Sequence, residues 1–188
     1  MAGACFPMLI TPVDQDRNLF RVEGVFSQDM VHKVLSTPWL ELDWTRQEGQ
    51  ENWARRRIKD SAIPWLAQWN QEFSTAWHQI SEQTGIPMEN YMGTAFWVDE
   101  PGFTCSMHTD GELPGSLHLT WIGAGTTFYW YKDSNAVRYQ TPSYPNSGYI
   151  MINQPDDTGY RRLLWHDMPY PVPQNSFRLT TYSWMKPL

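Results

Sequence analysis

Apolar side chains recur at helical spacing in the first half of the chain and at shorter spacing in the second. Ser27 is a suitable helix cap before an apolar stripe that runs to Leu35, so the pattern predicts a short helix over residues 27–35. A second stripe begins near Pro64, which is tolerated in a first helical turn, and ends at Gly85. Its core-facing members lie three or four residues apart: Leu66, Trp69, Phe73, Trp77 and Ile80.

After Gly85, short runs of β-branched and aromatic residues alternate with Gly, Pro, Asn and Asp. Eight runs are candidate strands: YMGTAFWVDEPG, FTCSMHTD, SLHLTWI, TTFYWY, AVRYQT, SGYIMIN, RRLLWHDM and SFRLTTYSW. This order favours a sandwich or jelly roll that helices brace on one side. The length of 188 residues suits one domain, which we expect to comprise helical support over residues 1–88 and a β core over residues 89–186.

Charge and cysteine content narrow the class of protein. Lys and Arg total 14 against 20 Asp and Glu, which argues against nucleic acid as a partner. The basic run ARRRIK, residues 54–59, is predicted to be a solvated surface. Cys5 and Cys105 cannot form a disulfide framework, and the first residues do not resemble a secretory signal, so we expect a cytoplasmic protein. No apolar run approaches the roughly 18 residues of a membrane span.

In the stretch SMHTDGE, residues 106–112, a single residue separates a histidine, His108, from an aspartate, Asp110. In a strand, His108 and Asp110 would point the same way, which suits two ligands of one metal and equally suits a polar strand face. His166 lies in the penultimate candidate strand, which a jelly roll can bring close. Two histidines and a carboxylate, with no cysteine pair nearby, favour Fe(II) over structural zinc. His32 and His78 lie beside the helical stripes and are predicted to be surface residues.

A buried anion-binding residue is predicted in the last strand. Arg178 follows His166 by twelve positions and shares a strand face with Thr180, Tyr182 and Trp184. An inward-facing arginine needs an anion, and its planar fork of donors matches a carboxylate, beside which Thr180 can add a hydroxyl. The pattern therefore predicts a small dicarboxylate that chelates the metal at one end and is held by Arg178 at the other.

The ordered combination of H-x-D, a distal histidine and R-x-[ST] resembles the Fe(II)- and 2-oxoglutarate-dependent oxygenases, particularly the small prolyl-hydroxylase-like members of bacteria and phages. The resemblance covers roughly residues 91–185, and the combination is fairly specific, whereas H-x-D alone is weak. It implies a double-stranded β-helix, which is a form of jelly roll. It also implies Fe(II) ligands at His108, Asp110 and His166, and binding of the distal carboxylate of 2-oxoglutarate by Arg178 and Thr180.

The resemblance further implies that O2 and 2-oxoglutarate are consumed, that succinate and CO2 are released, and that a C–H bond of the substrate is hydroxylated. The protein would position the target carbon and exclude water, for which aromatic walls are suitable. The candidates for such walls, each of which could equally be plain core, are Trp97, Trp121, Tyr129 and Trp165. We assign Trp121 to the co-substrate site.

Departures from neighbouring families narrow the implied reaction. Related halogenases lack the carboxylate ligand, but Asp110 is present here, which favours hydroxylation. Nucleic-acid demethylases carry a second arginine six residues after the distal histidine, where this chain has Val172, so base repair is disfavoured. Many prolyl-hydroxylase-like enzymes use lysine as the 2-oxoglutarate anchor, so Arg178 leaves open whether the substrate is a prolyl residue.

The substrate stays open between a small metabolite, a sugar and a side chain of another protein. The alternation in SLHLTWI does not say whether His118 faces the interior. Three arginines near the mouth of the predicted jelly roll could contact an acidic substrate, but we predict that they are solvated surface residues. They are Arg138, Arg161 and Arg162. Two other functions fit the same fold, a non-catalytic jelly-roll module that binds carbohydrate or peptide, and a cupin-type metalloenzyme that does not use 2-oxoglutarate.

Overall fold

The computed structural model describes residues 8–13, 19–45, 54–84, 88–110, 115–129, 137–141, 143–152 and 164–187. These residues form two α-helices, α1 (Gln28–Ser36) and α2 (Leu66–Thr84), and two short 3-10 helices, Trp39–Glu41 and Asp60–Ala62. The strands are β1 (Leu9–Pro12), β2 (Leu19–Glu23), β3 (Trp44–Thr45), β4 (Arg55–Ile58), β5 (Met88–Asp99), β6 (Cys105–His108), β7 (Gly115–Ile122), β8 (Thr127–Tyr129), β9 (Val137–Gln140), β10 (Ser147–Ile152), β11 (Trp165–Met168) and β12 (Arg178–Pro187). No helix among these residues is both long and apolar enough to cross a membrane.

The two helices form where the apolar stripes predict them. The Ser27 hydroxyl accepts a hydrogen bond from the backbone N–H of Met30, at 3.2 Å, and so caps α1. Four of the predicted core-facing residues of α2 are buried: Trp69, Phe73, Trp77 and Ile80. The fifth, Leu66, is partly buried and packs against the core. His32 and His78 are exposed, as predicted for surface residues.

Strands β5 to β12 form the predicted double-stranded β-helix. The large sheet has the order β1-β2-β10-β7-β12-β5-β4-β3, and the small sheet has the order β6-β11-β8-β9. The described strand pairs are antiparallel, and the chain passes repeatedly between the two sheets. Each of the eight predicted runs supplies one of these strands, so the prediction of a jelly roll is confirmed.

The N-terminal segment also contributes strands, which the prediction of helical support omits. Strands β1 and β2 extend the large sheet beyond β10, and β3 and β4 extend it beyond β5. The basic run at 54–59, predicted to be a solvated surface, forms β4. Arg55 and Arg57 point to one face of this strand, and Arg56 points to the other. Because β4 has an apolar residue only at Ile58, it lacks the apolar alternation that identifies a half-buried strand.

The hydrophobic core lies between the helices and one face of the large sheet. Phe26 stacks on Trp69, with ring centroids 3.9 Å apart, and both belong to the core cluster that contains Phe96 and Trp121. The opposite face of the large sheet is turned toward the small sheet. In β5, for example, Phe96 lies in the core, whereas Trp97 lines a cavity between the sheets. This alternation places the hydrophobic core on one face of the strand and the cavity on the other.

Candidate metal centre and cavity

The cavity between the sheets has a volume of about 450 Å³. On its large-sheet side, the neighbouring strands β4, β5 and β12 carry two cross-strand rows of residues. The first row is Arg55–Asp99–Arg178, and the second is Arg57–Trp97–Thr180. Paired residues of antiparallel strands share a face, so the register places both rows on the same side of the sheet.

Three potential metal ligands meet at the small-sheet side of this cavity. His108 at the end of β6 pairs directly with His166 on β11. The Nε2 atoms of both histidines lie 3.6 Å from Oδ1 of Asp110, and the three ligand atoms all lie within 4.8 Å of one another. The expected strand ends at His108, so Asp110 reaches the centre from beyond the strand end rather than by same-face alternation.

The hydrogen bonds of the two imidazole rings orient them as metal-binding histidines are oriented. Nδ1 of His108 lies 2.8 Å from the carbonyl oxygen of Ser106, and Nδ1 of His166 lies 3.2 Å from that of Leu164. A carbonyl oxygen can only accept, so each Nδ1 carries the proton and donates it. Each ring therefore turns Nε2 toward Asp110, and in the neutral form of the ring this atom carries the lone pair that a metal ion binds.

Burial and the shared carboxylate have opposite effects on the histidines. The Asp110 carboxylate beside His108, helped by the Cys105 thiol, raises the pKa of His108 to about 10. Burial lowers the pKa of His166 to about 4. Burial alone would raise the pKa of Asp110, but hydrogen bonds from His108 and His118 hold it well below its usual range. At neutral pH the Asp110 carboxylate is therefore ionised and His166 is neutral, and a divalent cation would displace the proton held by His108.

His118 faces this centre, which settles the orientation that the sequence leaves open. Its Nε2 lies 3.3 Å from Oδ2 of Asp110, the oxygen that does not face the other two histidines. The ring stacks on Tyr149, with centroids 4.6 Å apart, and meets Tyr182 edge-on at 4.1 Å. Burial lowers the pKa of His118, so the ring is neutral and is held in place by aromatic contacts. It is positioned to orient the carboxylate rather than to join the three ligands.

The first row holds a buried ion-pair cluster. Nε and Nη2 of Arg178 lie 2.8 and 2.7 Å from Oδ2 of Asp99, and Nε of Arg55 lies 2.9 Å from Oδ1. The side chain of Asp99 is fully buried and that of Arg178 is 1% exposed, whereas that of Arg55 is 19% exposed and lines the cavity. The predicted anchor, Arg178, therefore lies behind Arg55 and already has a carboxylate partner.

The predicted neighbours of Arg178 do line the cavity. Thr180, Tyr182 and Trp184 share the strand face expected for them and border the cavity together with Trp97. The shared face follows from the period of two in β12. The sequence therefore identifies this wall correctly.

Trp121 lies elsewhere. It is 1% exposed in the hydrophobic core, where its indole N–H donates to the Thr181 hydroxyl at 3.1 Å. His118 and Thr120, on the other face of β7, line the cavity instead. Residues on both faces of β7 are buried, so alternation alone does not indicate which face meets the helices and which meets the cavity. This placement does not support the assignment of Trp121 to the co-substrate site.

The remaining predicted residues fall outside the cavity lining or outside the described side chains. Trp165 is partly buried and is not among the residues that line the cavity. The side chain of Tyr129 is not described, nor is that of Arg138. Arg161 and Arg162 lie outside the described residues altogether. Of the four aromatic candidates, Trp97 is the one found in the described lining.

Solved structures of several oxygenases share this fold. A prolyl hydroxylase from Trichoplax adhaerens, in complex with a peptide fragment of hypoxia inducible factor, matches 94% of this chain and 87% of its own, with a TM-score of 0.65 and 9% identity. HygX from Streptomyces hygroscopicus, with nickel and 2-oxoglutarate bound, matches over 90% of this chain and 83% of the HygX chain, with a TM-score of 0.62 and 12% identity. A prolyl-4-hydroxylase from Pseudomonas putida matches over 90% of this chain and 92% of the hydroxylase chain, with a TM-score of 0.56 and 14% identity. No family model and no curated protein matches the sequence.

Proposed function

We propose that this protein is an Fe(II)- and 2-oxoglutarate-dependent dioxygenase that hydroxylates a C–H bond of its substrate and releases succinate and CO2. The observation that carries the proposal is the convergence of His108, Asp110 and His166, with both histidine rings turned by backbone carbonyls so that Nε2 faces the carboxylate. Oxygenases share the fold, and HygX holds nickel and 2-oxoglutarate within it.

The donor set suits Fe(II) in particular. Two imidazoles and one carboxylate leave open coordination positions, which an iron oxygenase needs for its co-substrate and for O2. When bound, Fe(II) would supply the activation of O2. Asp110 fills the ligand position that related halogenases leave for chloride, so its carboxylate favours hydroxylation. His118 holds the second oxygen of that carboxylate and fixes its orientation.

The 2-oxoglutarate site is proposed at the arginine end of the cavity. Arg55 and Arg178 share the single carboxylate of Asp99, so this cluster keeps one net positive charge beside the Thr180 hydroxyl. A distal carboxylate at Thr180 would neutralise that charge in a place shielded from water. Arg178 would then act partly through the cluster, with Arg55 as the guanidinium that faces the cavity.

The aromatic walls complete the proposed site. Trp97, Tyr149, Tyr182 and Trp184 line the cavity and would exclude water while they position the target carbon near the metal. Both peptides and small molecules are possible substrates, with O2 as co-substrate and no nucleic acid as partner. The Trichoplax neighbour was solved with a peptide. A cytoplasmic location stays a prediction from the cysteine content.

The test is anaerobic calorimetry followed by product analysis. The protein should bind one Fe(II), and the Fe(II)-loaded protein should then bind one 2-oxoglutarate. On admission of O2 it should form succinate, faster when the substrate is present, and the substrate should gain one oxygen atom from O2 even at high chloride concentration. Iron binding without 2-oxoglutarate binding would favour the cupin-type alternative. Ligand binding that does not depend on iron would favour the non-catalytic module.

A further inference from the structure

Arg57 is a cation of the cavity that the proposed reaction does not use. It lies on β4, two residues after Arg55, and lines the cavity with a half-buried side chain. Arg55 and Arg56 have carboxylate partners, Asp99 and Glu100, but Arg57 has no ion-pair partner among the described residues. Arginine keeps its charge in proteins, so this guanidinium is available to an anion.

The register separates Arg57 from the proposed co-substrate anchor. Arg57 on β4 pairs with Trp97 on β5, which in turn pairs with Thr180 on β12, so β5 lies between Arg57 and Thr180. The backbones of Arg57 and Thr180 are therefore two strand spacings, about 10 Å, apart. Arg55 and Arg178 lie in the neighbouring row with Asp99. An anion beside Thr180 thus occupies a different part of the large-sheet side of the cavity from an anion at Arg57.

The charges of the cavity also leave Arg57 unmatched. Among the described lining residues, Arg55, Arg57 and Asp110 carry formal charges. Fe(II) with Asp110 would hold one net positive charge, and the Arg55–Asp99–Arg178 cluster holds another. The two carboxylates of 2-oxoglutarate would neutralise both. The charge of Arg57 would then remain in a partly desolvated cavity, where an opposite charge is strongly favoured.

We propose that the substrate carries an oxyanion, a carboxylate or a phosphate, and that Arg57 binds it across Trp97 from the co-substrate. This inference rests on the proposed function for its statement that the bound molecule is the substrate. The anion site itself rests on the geometry of β4. Arg57 would hold the substrate away from the metal at one end and so fix which carbon comes near it.

The chain offers a matched control on the same strand. Arg56 points to the opposite face, where it pairs with Glu100 and lies over the ring of Trp44 at 4.8 Å. Arg56→Gln and Arg57→Gln remove the same charge from adjacent positions, and the first leaves the cavity intact. Arg57→Lys keeps a charge without the planar fork. Thermal unfolding of all three variants checks that each is folded.

The experiment uses two simple anions as probes, methylphosphonate followed by ³¹P NMR and acetate followed by ¹H saturation transfer. Each probe is titrated into protein loaded with Zn(II) and saturated with 2-oxoglutarate, and also into protein without either. We expect Arg57→Gln to weaken binding of at least one probe about tenfold, as loss of a charge-assisted hydrogen bond does. Arg56→Gln should bind like the parent, and Arg57→Lys should retain part of the affinity. The preferred probe distinguishes a phosphate from a carboxylate.

The inference is overturned if the parent and Arg57→Gln bind the probes equally, or if the parent binds neither probe. A fall in 2-oxoglutarate affinity in Arg57→Gln would place Arg57 in the co-substrate site, which overturns the inference and leaves the proposed function standing. If the parent binds no 2-oxoglutarate but binds a probe through Arg57, the proposed function fails and the anion site is supported.

Discussion

The metal end of the cavity is built on the small sheet, whereas its cationic end is built on the large sheet. At the metal end, His108 and His166 are neighbours on adjacent strands and converge on one carboxylate. At the cationic end, Arg55 and Arg178 converge on Asp99 from strands on either side of it. Both ends thus centre on a carboxylate, but the first is arranged to receive a cation and the second already holds two.

The difference has a functional consequence. Asp110 lies beside the neutral, buried His166 and shares a proton with His108, and a divalent ion can take the place of that proton. Asp99 is fully buried between guanidiniums, and its charge is needed to keep them in the protein interior. We therefore expect variants at the metal end to change binding with the fold intact, and variants at Asp99 to change stability.

The largest effect is expected at the metal end. His166→Ala and His108→Ala each remove one of three ligands, so stoichiometric Fe(II) binding should be lost while the protein remains folded. Anaerobic calorimetry and metal analysis measure the binding, and circular dichroism measures the fold. His78→Ala, an exposed histidine of α2, is the control and should bind iron like the parent. Fe(II) binding that survives both ligand substitutions would show that the centre is not a metal site.

The next effect concerns the stability of the cationic end. Asp99→Ala leaves the guanidiniums of Arg55 and Arg178 without their shared carboxylate, so the free energy of unfolding should fall by about 3–5 kcal/mol. Urea denaturation measures it. Asp43→Ala is the matched control, because Asp43 forms an exposed pair with Lys59 at 3.6 Å and such pairs contribute little. Equal effects of the two substitutions would contradict the proposed difference between the ends.

The two ends also differ in how far the sequence predicts them. His108 and His166 lie on strands that the apolar pattern identifies, and Asp110 follows His108 in the same short motif, so chemistry and fold class together indicate the metal centre. Arg55 and Arg57 stand in a basic run that resembles an ordinary solvated surface. Only the pairing of β4 with β5 places them on the large-sheet side of the cavity, and strand register is a property of the whole sheet.

Trp121 illustrates the same limit within a correctly predicted strand. The sequence indicates that β7 is a strand, but residues on both of its faces are buried. Alternation then defines two sets of side chains without saying which set faces the helices, so His118 and Trp121 are equally plausible cavity residues. The packing of Trp121 against Phe26 and Trp69 decides the question, and it involves residues far apart in the chain.

A smaller effect at the metal end tests whether its carboxylate is oriented by a neighbour. His118→Phe keeps a ring against Tyr149 but removes the Nε2 atom 3.3 Å from Oδ2 of Asp110. Fe(II) affinity should fall about 10- to 100-fold, as it does when a partner of a metal ligand is lost, and the stoichiometry should stay at one. Calorimetry measures both quantities. Tyr149→Phe is the control for altered packing, and an unchanged affinity in His118→Phe would exclude an orienting role.

The smallest effect we predict is at Arg178. Arg178→Lys keeps the positive charge that partners Asp99 but loses the planar fork whose Nε and Nη2 both contact Oδ2. The cluster should loosen, and 2-oxoglutarate affinity should fall about tenfold with Fe(II) binding unchanged. Calorimetric titration of the Fe(II)-loaded protein under anaerobic conditions measures both, with Arg56→Lys as the control. Arg55→Gln in the same titration shows which guanidinium meets the co-substrate, because Arg55 faces the cavity. If neither substitution changes 2-oxoglutarate affinity, the cationic end does not bind the co-substrate, and a metalloenzyme without 2-oxoglutarate becomes the better assignment.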